Sequence, residues 1–315
     1  MPPSRDNSRG ILAMNVAMFS FITSDTLVKY VTQSLPLGEA IFLRGAIASV
    51  IVGLVVVWAG TGRAWRTMFE PLMALRLIGE IGATLFYLVA LVHMPIANVS
   101  AVFQATPLAM TASAALFLGE QVGPRRWAAI AVGFIGVMII VRPGLAGFDA
   151  WSIAVLISVA FVALRDISTA RLPASAPASL VTFVTALAVT ALGLALWPFE
   201  HLVGKRVEWI VPDAFNGALV AANAVTLLSG YVFLLFATRF AETSAIAPFR
   251  YTLLVWSFLF GIVVFGQYPD TATLVGAAIV VGTGLYSFHR ERARRAVTRP
   301  AASHPSVGGA DSDPS

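Results

Sequence analysis

Ten runs of about twenty apolar residues, separated by breaks too short to fold, constrain this chain more than anything else in it. They occupy 11–31, 37–59, 72–93, 96–118, 125–141, 149–170, 178–198, 213–236, 243–265 and 270–288. A helix needs about 20 residues to cross the hydrocarbon layer. Inside that layer each backbone N–H and C=O must bond within its own segment, which selects helix. Of the 315 residues, 58% are apolar and 12% charged, against about a quarter charged in soluble domains. That leaves too little polar surface to coat a globule. The expected fold is an all-α polytopic membrane protein with ten transmembrane helices. The absence of Cys removes disulfide frameworks, thiolate metal sites and cysteine nucleophiles.

Turn-forming pieces such as Ser34-Leu35-Pro36, Gly60-Thr61-Gly62 and Arg142-Pro143-Gly144 join the runs, and the longest break is 199–212. The chain divides into a polar lead (1–10), a first five-helix unit (11–141), a second (149–288) and a tail (289–315). The first run carries Asp25 and Lys29 and is long, so it reads as a retained helix and not a cleavable signal. From Val297 onward, Pro, Ser, Gly, Ala and Asp prevail, a composition that buries little and predicts disorder. With the N-terminus inside, thirteen Arg fall on the cytoplasmic side, and Arg142, Lys205 and Arg206 on the other. That positive-inside bias places both termini in the cytoplasm and requires an even number of spans. The basic run Arg290, Arg292, Arg294, Arg295 and Arg299 then flanks the last helix, and no nucleic-acid role follows from it.

The two halves match at an offset of 144 residues: Tyr87 with Tyr231, Ala97 with Ala241, Ser100 with Ser244, Ala101 with Ala245. Five spans per half is an odd number, so the second copy inserts upside down, as in secondary transporters whose substrate site lies between inverted repeats. Pro107 and Pro248 interrupt the fourth and ninth spans, which correspond between halves. A proline inside a helix frees a carbonyl that lipid cannot satisfy, and paired interruptions point to a transport site.

Three stretches carry a family likeness: Glu39-Ala-Ile-Phe-Leu-Arg44, Phe117-Leu-Gly-Glu120, and Phe265-Gly-Gln267-Tyr-Pro269, together with the Gly276 to Gly284 run. The chain resembles the drug/metabolite transporter superfamily, specifically its EamA-type members, over about residues 11–288. The resemblance implies ten helices in two inverted five-helix repeats, and substrates such as flavins, amino acids or S-adenosylmethionine. One departure stands out. The second half of such chains usually has Glu where this one has Gln267, so a carboxylate role at that motif would fall to Glu120.

Charges within spans are costly and thereby functional candidates. Here they are Asp25, Lys29, Arg44, Arg76, Glu80, Arg165, Asp166 and Arg250. Asp25 and Lys29 are spaced to pair, Lys29 and Arg76 lie near span ends and can snorkel, and Glu39 can clamp Arg44. Arg165 and Asp166 are about 100° apart on a helix, which sets them toward different partners. Five positive charges against three negative predict a substrate with a carboxylate or phosphate, which guanidinium binds through paired hydrogen bonds. Aromatic residues would stack on its planar part. The expected substrate contacts are Arg250, Tyr251, Gln104, Tyr87, Arg44, Arg165, Asn223 and Trp256. Asp25, Glu80 and Asp166 are the candidates for ion coupling. No catalytic residue, cofactor or metal is expected.

The function that follows is a secondary transporter moving a small polar or amphipathic metabolite across the cytoplasmic membrane by alternating access. No Gly-rich, Lys-containing nucleotide motif occurs, so ATP is not its driver. The alternatives are a membrane enzyme acting on a lipid head group, or a passive channel or sensor scaffold. Only His93, His201, His289 and His304 are present, too scattered for an acid–base set, and no ring-like filter motif appears. Expected partners are the small substrate and membrane lipid. Small-residue pairs Ala129/Gly133, Ser257/Gly261 and Ala278/Gly282 mark close helix packing, with the fifth and tenth spans forming either a scaffold or a homodimer contact.

Overall fold

The computed structural model describes residues 6–117, 119, 122–145, 148–173, 175–204 and 208–298. Glu120, Arg5, Lys205, Arg206, Arg299 and the rest of the tail lie outside them. Every regular element among the described residues is helical: α1 (Asn7–Val31), α2 (Leu37–Trp58), α3 (Pro71–His93), α4 (Ile96–Phe103), α5 (Thr106–Phe117), α6 (Pro124–Val141), α7 (Trp151–Ala170), α8 (Ala178–Leu196), α9 (Glu200–Val203), α10 (Ala214–Phe240), α11 (Thr243–Ile246), α12 (Thr252–Phe265) and α13 (Thr271–Thr298). Among the described residues nine helical stretches are long and apolar enough to cross a membrane, and Thr271–Ser287 is a shorter apolar one.

Local chemistry sets the ends. Asp6 accepts from the Ser8 and Arg9 N–H groups, an N-cap that starts α1 four residues before the apolar run. Pro71 and Pro124 open α3 and α6 at positions where the missing N–H costs nothing. Gly266 adopts the left-handed conformation (φ 63°) that ends α12. The last helix extends to Thr298, so the run Arg290–Arg295 continues a helix instead of opening an irregular tail.

Both expected interruptions are present. α4 ends at Phe103 and α5 resumes at Thr106, with Pro107 in its first turn. Pro248 lies in a 3₁₀ segment, Ala247–Tyr251, between α11 and α12.

α1 lies along α10, α2 along α8, α3 along α7 and α6 along α13, while α12 meets α1 and α4. The α3–α7 crossing is close because a Cβ on Gly79 would come within 2.7 Å of the Arg165 backbone nitrogen. Gly136 and Gly276 face each other's backbone across α6–α13, so these small residues serve internal packing.

The apolar core is lopsided. Its main body gathers the ends of α1, α2, α3, α4 and α6 nearest the α1–α2 and α3–α4 turns, including Val31, Leu37, Ile41, Leu91, Ile96 and Val141. A second, smaller cluster of Met14, Ala17, Met18, Ala237, Ala241 and Ile246 joins α1 to α10 and α11 at the opposite end.

Candidate functional site

The tightly packed end is closed by side chains bonded to helix termini. Lys29, 7% exposed, donates from Nζ to the Leu91 and Met94 carbonyls at 2.5 and 2.6 Å, and lies 5.6 Å from the centre of the Phe265 ring. It ties α1 to the end of α3, where orphan carbonyls carry partial negative charge, so it does not snorkel. Glu200, fully buried, accepts from the Gly38 N–H at the start of α2. Gln267 accepts from the Ile96 N–H at the start of α4. Its amide thus performs a neutral capping task, and Glu120 lies outside the described residues. Glu39 accepts from the Ile210 N–H at 3.1 Å, so it holds the α8–α10 connection and is no clamp on Arg44. Arg142 pairs with Asp270.

Beneath this closure lies the polar interior. Asp25, Arg44 and Tyr87 each stand six or seven residues from the closed end of their helix, about 10 Å. The Tyr87 hydroxyl donates to Asp25 Oδ2 at 2.6 Å. Arg44 is 7% exposed, its Nε has no hydrogen-bond partner, and Asp25, Tyr231 and Glu80 lie within its electrostatic reach. Tyr231 is 46% exposed although Arg44, Arg76, Glu80 and Arg165 surround it; its exposed edge therefore faces internal space. Sequence reasoning matched Tyr231 to Tyr87 but did not place it in a site, and that match was the available signal.

On the facing helices, Arg165 Nε donates to Asp166 Oδ1 at 2.8 Å and its Nη1 lies 3.6 Å from Glu80 Oε2. Arg165 and Asp166 do not share an outside partner: Arg165 reaches Glu80, and Asp166 is held by Arg165 itself. The long arginine side chain curls back to its neighbour. Arg76 donates to Thr185 at 2.5 Å and lies 3.8 Å from Glu80, engaged within the bundle instead of reaching an interface. Arg76, Glu80, Arg165 and Asp166 thus cancel one another in charge. Arg250 is exposed, with Asp166, Tyr251 and Arg165 in electrostatic reach, and its carbonyl accepts from Gln104 Nε2 at 3.4 Å.

Two expected contacts fall elsewhere. Asn223 donates to the Ser24 carbonyl at 2.5 Å and to its Oγ at 3.1 Å, so the polar stripe of α10 faces α1, although Asn223 Oδ1 has no partner. Trp256 meets Phe19 edge-on at 5.1 Å, which seats it in the α1–α12 seam. The Tyr251 hydroxyl is buried without a partner, over Gly284, where any side chain would collide with it. Among the described residues no three His, Cys, Asp or Glu side chains are grouped to hold a metal.

A membrane-spanning helical bundle with two interrupted spans and an interior of paired and unpartnered charges defines a polytopic solute transporter. Residues 8–142 match the EamA-like transporter family. The chain is 27% identical over 276 residues to the pseudopaline exporter CntI of Pseudomonas aeruginosa (strain UCBPP-PA14), covering 86% of this chain and 93% of that one. It is 26% identical over 281 residues to an S-adenosylmethionine uptake transporter of Rickettsia conorii, covering 88% and 91%. It is 29% identical over 252 residues to a riboflavin transporter of Brucella anthropi, covering 79% and 87%. A crystal structure shares the fold with a TM-score of 0.56 at 21% identity, covering 92% of this chain and 99% of that one. The chain is an integral membrane protein of the solute-transporter kind, whose first half matches the EamA-like transporter family and most of whose length is similar to transporters of small metabolites.

Proposed function

We propose that the chain carries an amphoteric or acidic metabolite with a planar part by alternating access, through a cavity between two inverted five-helix repeats. The observation that carries this reading is the interior pole of Arg44 with its unpartnered Nε, beside Asp25 and Tyr87 and below a closed end. With the α3–α7 charges cancelled and Lys29 held by carbonyls, the remaining interior count is two guanidiniums, Arg44 near Asp25 and Arg250 near Asp166, against the single uncancelled carboxylate of Asp25. That surplus suits a carboxylate or phosphate on the cargo.

The helix pairing supports the repeat. Counting Thr271–Ser287 as the tenth span, shifting every span by five places turns the α1–α10 contact into the α7–α3 contact. It maps α2–α8, α6–α13 and α4–α12 onto themselves. Asp25 and Asp166 are also 141 residues apart, as are Pro107 and Pro248.

The conformation is more tightly packed at the end bearing the α1–α2 turn than at the end bearing the termini, and the excess of Arg assigns the latter to the cytoplasm. Tyr87, Gln104 and Arg165 line the cargo's path, with the breaks at Pro107 and Pro248 beside it, while Tyr251 backs it by packing on Gly284. Asp25 is the coupling carboxylate, because Glu80 and Asp166 each contact a guanidinium while Asp25 is bonded by a phenol. Relatives named for pseudopaline, S-adenosylmethionine and riboflavin support this substrate range. Counterflow in proteoliposomes across flavins, amino acids, S-adenosylmethionine and nucleoside-like solutes tests it: at least one should exchange. Turnover of a lipid with no counterflow of any solute would sink the reading.

A further inference from the structure

We propose that the groove between α6 and α13 binds an acidic phospholipid, with the phosphate on Arg125 and an acyl chain in the trough below. The groove is an open trough of about 330 Å³, lined by Arg125, Ala128 and Val132 of α6 and by Gly282, Thr283 and Tyr286 of α13. Its floor is open because of a glycine: a Cβ on Gly282 would meet nothing within 4 Å. The Thr283 hydroxyl donates to the carbonyls of Ile279 and Val280 in its own helix, so it offers the trough no unbonded donor. The wall is therefore apolar, apart from one guanidinium and one phenol at the same end.

That end is at the bilayer surface. Arg125 is the second residue of α6, and Val132 stands two turns deeper, about 10 Å along the axis. Arg125 is exposed and has no ion-pair partner among the described residues. Tyr286 and Trp127, 43% and 39% exposed, are side chains of the membrane interface. Beyond Tyr286, α13 continues through the sequence that carries Arg290, Arg292, Arg294 and Arg295. The Arg125 guanidinium over an apolar, bilayer-facing trough complements a lipid with an anionic head and not a neutral one.

The experiment uses the full chain in detergent, equilibrated with equal amounts of phosphatidylglycerol and phosphatidylcholine, with bound lipids counted by native mass spectrometry. One basic residue near a membrane surface favours an anionic lipid by about fivefold. The wild-type chain should retain phosphatidylglycerol over phosphatidylcholine by that factor. Arg125→Gln should bring the ratio to about one while total lipid persists, and Arg125→Lys should restore it. Gly282→Leu should fill the trough and release both lipids. A ratio in Arg125→Gln within twofold of wild type overturns the proposal. So does a Gly282→Leu chain that keeps its lipid, or one that turns a dimer into a monomer, which would make a second copy the occupant. Arg125 is exposed and its variants keep the fold, so the headgroup comparison alone decides if Gly282→Leu fails to fold.

Discussion

Replacing Lys29 with Met should unlatch the closed end. The ammonium makes two charge-assisted hydrogen bonds to the Leu91 and Met94 carbonyls, each contributing about 1.5–3 kcal/mol. Burying that charge costs several kcal/mol, which the methionine recovers, so the closed conformation loses about 2 kcal/mol on balance. At 1.36 kcal/mol per factor of ten, the open population rises about thirtyfold. The chain has no Cys, so one introduced thiol reports cleanly. Ser100, fully buried on α4, is nearly isosteric with it. In a Ser100→Cys background, an impermeant maleimide is added from the side of the α3–α4 turn. Labelling should be slow with Lys29 or Lys29→Arg and about thirtyfold faster with Lys29→Met. A Lys29→Met rate within threefold of the parent refutes the latch.

Other outcomes follow from the same interior. Arg250→Ala should abolish substrate binding by isothermal titration while leaving membrane insertion and thermal unfolding intact; unaltered transport would remove it from the path. Asp25→Asn should leave exchange of solute across the membrane intact but flatten its dependence on a pH gradient, and a retained gradient response would shift coupling to another carboxylate. Glu200→Ala removes the carboxylate at the start of α2, a capping loss of about 1–2 kcal/mol, and should lower the unfolding temperature in detergent by a few degrees; an unchanged midpoint would show that water replaces the cap. Gly79→Ala drives a methyl against the Arg165 backbone, a steric cost of about 1–3 kcal/mol, and should reduce both stability and transport rate.

The apolar runs and both proline interruptions were legible because lipid permits only helices and leaves prolines conspicuous. The likeness to EamA-type chains was equally legible in short motifs. What escaped was where flexible side chains go. Lys29 sits one turn from its helix end, a place where lysines usually reach water, yet it finds the carbonyl terminus of α3 closer. Arg165 and Asp166 were separated by helical geometry, but the guanidinium has enough rotatable bonds to reverse direction. Glu200 stood in what read as a loop, and its carboxylate turns back to the start of α2 from 162 residues away in sequence. Such pairings depend on which helices become neighbours, and no local pattern encodes that.

The quartet of Arg76, Glu80, Arg165 and Asp166 sums to zero charge and sits on two helices packed face to face. Moving one elementary charge across a membrane potential requires about 2.3 kcal/mol per 100 mV. A rocking α3–α7 pair would then do almost no electrical work of its own, and any voltage dependence of turnover would report the charge on the cargo and its coupled ion.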